Sequence, residues 1–93
     1  MKYVDNKVEG VKIAYVGGGS RGWAWGLMSD LVACEDMSGS VCLYDIDKSA
    51  ALSNQIIGEK YNDVKGAKSH WSYSVADTLE ESLQGADFVV ISI

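Results

Sequence analysis

An α/β fold built on a parallel sheet is what the sequence predicts, and three observations predict it. Short apolar runs rich in β-branched and aromatic residues alternate with stretches of helical spacing. A glycine-rich turn joins the first run to the first helix. The last run, Phe88-Val89-Val90-Ile91-Ser92-Ile93, is apolar without alternation, the signature of a parallel strand covered on both faces. Parallel strands need helical crossovers between them, and the intervening stretches supply those.

Composition narrows the class further. With 47% hydrophobic and 23% charged residues the chain has the proportions of a soluble globular protein rather than a disordered one. Its 93 residues suffice for one small domain or for part of a larger one. A net charge of −5 with eight scattered basic residues excludes a nucleic-acid surface. No apolar run approaches the roughly 18 residues of a membrane span. Met1 to Gly10 is polar and mixed in charge, so it is no signal peptide. Cys34 and Cys42 form neither a disulfide framework nor a metal-ligand spacing, and a reduced, cytoplasmic setting is expected.

Taken in order, residues 1–10 read as an N-terminal tail with extended structure near Tyr3 and Val4. Val11-Lys12-Ile13-Ala14-Tyr15-Val16 is the first strand, ended by glycine. Ala24, Leu27, Met28, Leu31 and Val32 then fall on one helical stripe of about three turns. Gly26 inside that helix is expected to serve close packing, and Trp23 and Trp25 flank the stripe as packing or interface residues. Ser38-Gly39-Ser40 is a turn into a second strand, Val41-Cys42-Leu43-Tyr44. Asp47 caps a second helix that is expected to turn Leu52, Ile56 and Ile57 inward and to fray near Tyr61. His70 to Val75 alternates as a third strand, where His70, with no second ligand near it in sequence, is a surface or packing residue. Asp77-Thr78-Leu79-Glu80 has the spacing of a capping box with an aspartate as cap. It opens a short helix that stops at Gly85, before the final strand. Right-handed crossovers then give strands in the spatial order 3-2-1-4, with helices on both faces.

The stretch with chemistry in it is Gly17-Gly18-Gly19-Ser20-Arg21-Gly22. Gly17, Gly19 and Gly22 fit G-x-G-x-x-G between a strand and a helix, the loop that cradles a dinucleotide pyrophosphate. The first glycine permits the tight turn, the second the approach of backbone to phosphate, and the third close packing of the helix. The phosphates then rest on the free N–H groups at the helix N-terminus, with Ser20 and Arg21 as candidate further contacts, Arg21 reading equally as a solvent-facing residue at the helix start. Asp45 follows at about the 20-residue distance that sets an acidic side chain at the tip of the second strand. There it accepts hydrogen bonds from ribose hydroxyls and repels a 2′-phosphate, favouring NAD over NADP. Residues 11–93 are therefore expected to be the N-terminal, adenosine-binding half of a Rossmann-type domain, incomplete because the chain stops within its most apolar strand.

These residues also carry a resemblance. Lys12 to Ala24, with Leu43-Tyr44-Asp45-Ile46-Asp47 and Gly85-Ala86-Asp87-Phe88-Val89-Val90-Ile91-Ser92, resembles the start of a family 4 glycoside hydrolase. The Gly-Gly-Gly-Ser-Arg-Gly-Trp-Ala form is most similar to the α-galacturonidase and α-glucosidase-like branch. The Gly-Ala-Asp segment is shared more widely, with lactate and malate dehydrogenases. The resemblance implies a glycosidase that uses bound NAD to oxidise its sugar at C3, eliminates the glycosidic bond, adds water and reduces the ketone again. It also implies a divalent metal, usually manganese. The metal ligands and the base of the family pattern fall after residue 93, so no catalytic or metal-ligating residue carries over. What does carry over is the cofactor loop, Gly17 to Gly22, and Asp45. The dinucleotide, and a glycoside in the whole enzyme, are the partners implied, and a homo-oligomer is expected. Two other readings stay open from the residues: the start of an NAD-dependent dehydrogenase, or an NAD-binding module without chemistry. A methyltransferase fits the third glycine and the helix pattern less well.

Overall fold

The computed structural model describes residues 1–92, and Ile93, read above as the end of the last strand, lies outside them. Eight elements follow one another: β1 (Lys2–Val4), β2 (Lys7–Val16), α1 (Gly22–Ala33), β3 (Met37–Tyr44), α2 (Lys48–Tyr61), β4 (Trp71–Val75), α3 (Leu79–Leu83) and β5 (Phe88–Ile91). The parallel strands lie in the order β4-β3-β2-β5. This is the expected 3-2-1-4 arrangement, counted from the strand that begins at Val11. Registers place Ile13 beside Val41 and Val41 beside Tyr73, so these three share one face. On that face Val11, Ile13, Tyr15, Leu43 and Trp71 join Ala24, Met28, Leu31 and Val32 of α1 and Ala51 of α2 in a single core. The crossover from β4 to β5 reverses direction across the sheet, which with a right-handed connection sends α3 to the opposite face. Among the described residues no helix is long and apolar enough to cross a membrane.

Five local readings need correction, the first being that Ser38-Gly39-Ser40 is no turn but part of β3, with Gly39 and Ser40 paired to Val11 and Lys12. Residues 1–10 are not a tail: β1 pairs antiparallel with the start of β2. Asp5 and Asn6 take positive φ values of 50° and 66° at the turn, which these residue types tolerate and which a two-residue hairpin requires. In α2 the buried positions are Ala51, Asn54 and Gly58, while Leu52 and Ile56 face outward. Ile57 does pack against the core, as expected, but a Cβ on Gly58 would stand 2.8 Å from the Tyr73 ring, so at this crossing the helix lies against the sheet through small residues. The cap of α3 is Thr78 rather than Asp77: its hydroxyl accepts from Glu81 N at 3.1 Å, and the Glu81 carboxylate reaches back to Asp77 N. The final strand is not covered on both faces, since Phe88, Val89 and Ile91 are about half exposed or more.

Helix α2 also closes one side of the sheet. Tyr73 N donates to Glu59 and Tyr73 O accepts from Gln55, while Asn62 pairs with both N and O of Trp71. Side chains thereby satisfy the outer edge of β4 as a neighbouring strand would. At the other side, Asp87 accepts from Lys12 N at 2.9 Å and its own N donates to Lys12 O, fixing where β5 meets β2.

Candidate functional site

The glycine loop lies at the C-terminal end of β2, between the tip of β3 and the start of α1. Gly17, at φ +92°, turns the chain out of the strand, and the N–H groups of Gly17 and Gly18 both donate to Tyr44 O. Ser20 N closes the turn on Gly17 O at 3.0 Å, and Ser20 Oγ lies 3.3 Å from the Tyr15 hydroxyl. Side chains are missing here for steric reasons that the motif alone does not reveal. A Cβ on Gly17 would strike the Ser92 carbonyl, one on Gly18 would lie 2.7 Å from Leu43 Cβ, and one on Gly19 2.7 Å from Ala50 Cβ. Gly18 thus lets the loop lie against β3, and Gly19 lets it lie against the start of α2 and the Asp45 carboxylate. Gly22, assigned close packing of the helix from the sequence, has nothing among the described residues within 4 Å of an added Cβ, and the same holds for Gly26, whose place in α1 close packing among those residues does not explain. Both line a groove of about 710 Å³ between α1 and β5, with Tyr15, Trp23, Val90 and Ser92.

Asp45 is where the spacing puts it, at the tip of β3, and it holds the loop directly. Its Oδ2 accepts from Gly19 N at 2.8 Å and its Oδ1 from Asp47 N at 2.9 Å. Each carboxylate oxygen keeps a lone pair for a further donor. Asp47 caps α2 by accepting from Ala50 N, and its carboxyl is held below its ordinary value by the Ser49 hydroxyl first and the Ala50 N–H second. The neighbouring Lys48 is engaged in an ion pair with Asp77, which raises its pKa. The β3 tip therefore presents carboxylates, with its adjacent lysine turned to another partner.

Helix α1 differs from its neighbours at its N-terminus. Arg21 occupies the cap position without a side-chain cap hydrogen bond, and no acidic residue lies in the first turn. Asp47 and Thr78 cap α2 and α3 with side-chain oxygens. The unpaired first-turn N–H groups of α1 and the positive end of its dipole favour an anion. A pyrophosphate fits this arrangement: the loop's Cβ-free backbone, the uncapped helix start and exposed Arg21 adjoin one another, and Asp45 stands beside them.

Sequence reasoning missed Asn54, which the fold brings to the loop from the middle of α2. It is 3% exposed and donates from Nδ2 to Gly18 O at 2.7 Å and to Ser20 O at 2.6 Å. Its Oδ1 accepts from the Trp25 indole at 2.9 Å. The available signal was the spacing Ala51, Asn54, Gly58, a small and polar stripe running where an apolar one was expected. Among the described residues no group of three or more histidine, cysteine or acidic side chains could hold a metal ion. His70 is exposed just before β4.

Comparison with known proteins adds to this geometry. The family model described as "Family 4 glycosyl hydrolase" matches residues 12–93. An alpha-galacturonidase of Thermoanaerobacter italicus is 59% identical over all of this chain, which spans 19% of that protein. One of Thermoanaerobacterium saccharolyticum is 57% identical, again over the whole chain and 20% of the relative. In three dimensions the chain superposes on a Bacillus subtilis crystal structure described as the glucosidase LplD, with TM-score 0.79 and 50% identity over 91% of this chain and 18% of that one. The chain thus spans about a fifth of the length of these relatives.

Proposed function

The chain belongs to glycosyl hydrolase family 4, and from that premise we propose that it is the NAD-binding portion of a cytoplasmic glycosidase acting on α-galacturonides. One observation supports the cofactor reading above the others: the loop Gly17 to Gly22 meets Asp45 and an uncapped helix start at one place. The substrate class follows the names of the relatives. An α-glucoside is the second reading, favoured by the description of the structural neighbour.

In this reading the loop residues Gly17 to Gly22 and Asp45 would hold NAD, which would supply a reversible hydride acceptor for the sugar, and a divalent metal, manganese by family, would be held by residues outside this chain. The work of the present residues is binding and orientation. The α1 N-terminus and Arg21 balance the pyrophosphate charge, and the Gly19 region gives backbone close to it. Asp45 accepts from the ribose hydroxyls with its remaining lone pairs. Its charge, with Lys48 committed to Asp77, opposes a 2′-phosphate and selects NAD over NADP. The test is turnover of p-nitrophenyl α-D-galacturonide by the full-length protein after exhaustive dialysis with a chelator. Activity should vanish and return only with NAD and manganese together, whereas residues 1–93 alone should give none. Full activity without added NAD, in a protein shown to be free of it, overturns the cofactor reading. Turnover by residues 1–93 overturns the placement of the catalytic groups.

A further inference from the structure

We propose that Asn54 is a positioning residue for the phosphate-binding loop, one that holds two loop carbonyls away from the ligand. This rests on the reading that the loop binds a pyrophosphate. The orientation of the amide is fixed by chemistry. An indole N–H only donates, so the atom facing Trp25 at 2.9 Å is Oδ1, and the NH₂ group faces Gly18 O and Ser20 O. Both Nδ2 protons and the oxygen are then used, within a residue only 3% exposed. Asparagine is a poor choice for a helix interior, and a buried amide is costly unless satisfied. Position 54 is therefore set by what the side chain binds, not by α2.

What it binds is the negative end of two peptide dipoles. Gly18 and Ser20 flank Gly19, whose N–H is held by Asp45. Asn54 and Asp45 thus grip this short segment by groups of opposite kind, the carbonyls through α2 and the N–H through the β3 tip. With the two carbonyls tied to Asn54, neither turns toward a bound phosphate, where each would repel it. Without Asn54 the loop must pay that repulsion or reorganise on binding.

The experiment is calorimetric titration of NAD, ADP-ribose and adenosine into full-length protein, for wild type, Asn54→Leu and Trp25→Phe. Asn54→Leu keeps the number and branching of side-chain heavy atoms but loses both donors. It should weaken NAD and ADP-ribose by about 10–100-fold, the loss expected when one or two hydrogen bonds are removed, and leave adenosine within about twofold. Trp25→Phe, which keeps both loop hydrogen bonds, should hold NAD within about threefold. Should the leucine variant fail to fold, Asn54→Ser supplies the same comparison of pyrophosphate ligands with adenosine. Unchanged NAD affinity in a folded variant overturns the proposal, as does an equal loss for adenosine, which would mark a general structural role. A loss in Trp25→Phe as large as in Asn54→Leu overturns it too. Wild-type protein that binds neither NAD nor ADP-ribose instead defeats the cofactor reading itself.

Discussion

Asp45 carries two duties at once, and substitutions there and at Gly19 separate them. Asp45→Ala removes the ribose acceptor and also frees Gly19 N and Asp47 N. It should weaken NAD binding by about 1–3 kcal/mol, the cost of leaving such groups unpaired, read by titration of the full-length protein. Gly19→Val should be worse and should lower the melting temperature as well, because its Cβ meets Ala50 and the Asp45 carboxylate. Unchanged affinity in both variants would remove the loop from cofactor binding. Tyr73 offers a test away from the site. Its hydroxyl is buried without a partner among the described residues, and burial above all, then the Glu59 charge, raises its pKa. A raised folded pKa gives stability that is full below the ordinary tyrosine value, about 10, and is lost as pH climbs toward the folded one. Tyr73→Phe should therefore match or exceed wild type at pH 7, by up to about 1 kcal/mol. Above pH 10 it should lose stability less steeply, as urea melts at several pH values will tell. Equal slopes would mean that water reaches the Tyr73 hydroxyl in solution.

At the scale of elements the two helices on one face use glycine for opposite reasons. Gly58 presses α2 against the Tyr73 ring, whereas Gly26 faces open space in α1. Gly58→Ala gains about 1 kcal/mol of helix propensity but must push a ring aside, an overpacking cost of about 1–3 kcal/mol. A net loss is expected. Gly26→Ala meets no such cost and should stabilise the chain by about 0.5–1 kcal/mol. Thermal unfolding of the two variants should shift the midpoint in opposite directions. Shifts of the same sign would show that α2 can back away from the sheet, or that something covers α1 at Gly26.

For the whole molecule, the decisive contrast is between the two sides of the sheet. The outer edge of β4 is closed by Gln55, Glu59 and Asn62, but among the described residues no strand pairs the outer edge of β5. Phe88, Val89 and Ile91 remain exposed there. An apolar strand with free N–H and C=O groups is a template for another chain. Residues 1–93, prepared alone, should therefore self-associate through β5. Val89→Lys, which puts a charge on an exposed position and spares the core-packed Val90, should shift the population toward monomer. Light scattering after size exclusion distinguishes the two, and a monodisperse wild-type monomer would mean that the β5 edge is protected.

Periodicity and turn chemistry are local, which is why the sequence by itself determined the strand–helix alternation, the strand order, the glycine loop and Asp45 at the tip of the second strand. Asp47 as a helix cap was legible for the same reason, since a cap concerns only residues three apart. The stripe of α1 was legible too, with Ala24, Met28, Leu31 and Val32 buried as the spacing predicts, but the tertiary structure alone decided which side of α2 is inward. Leu52 and Ile56 are as apolar as any core residue, yet with α2 held close to the sheet at Gly58 and Tyr73 the fully buried positions are Ala51, Asn54 and Gly58. It also decided why Gly17, Gly18 and Gly19 are glycines, because Ser92, Leu43 and Ala50 approach from parts of the chain distant in sequence. Asn54 belongs with these: 34 residues separate it from Ser20, and a hydrogen bond across that distance has no period for a sequence to show.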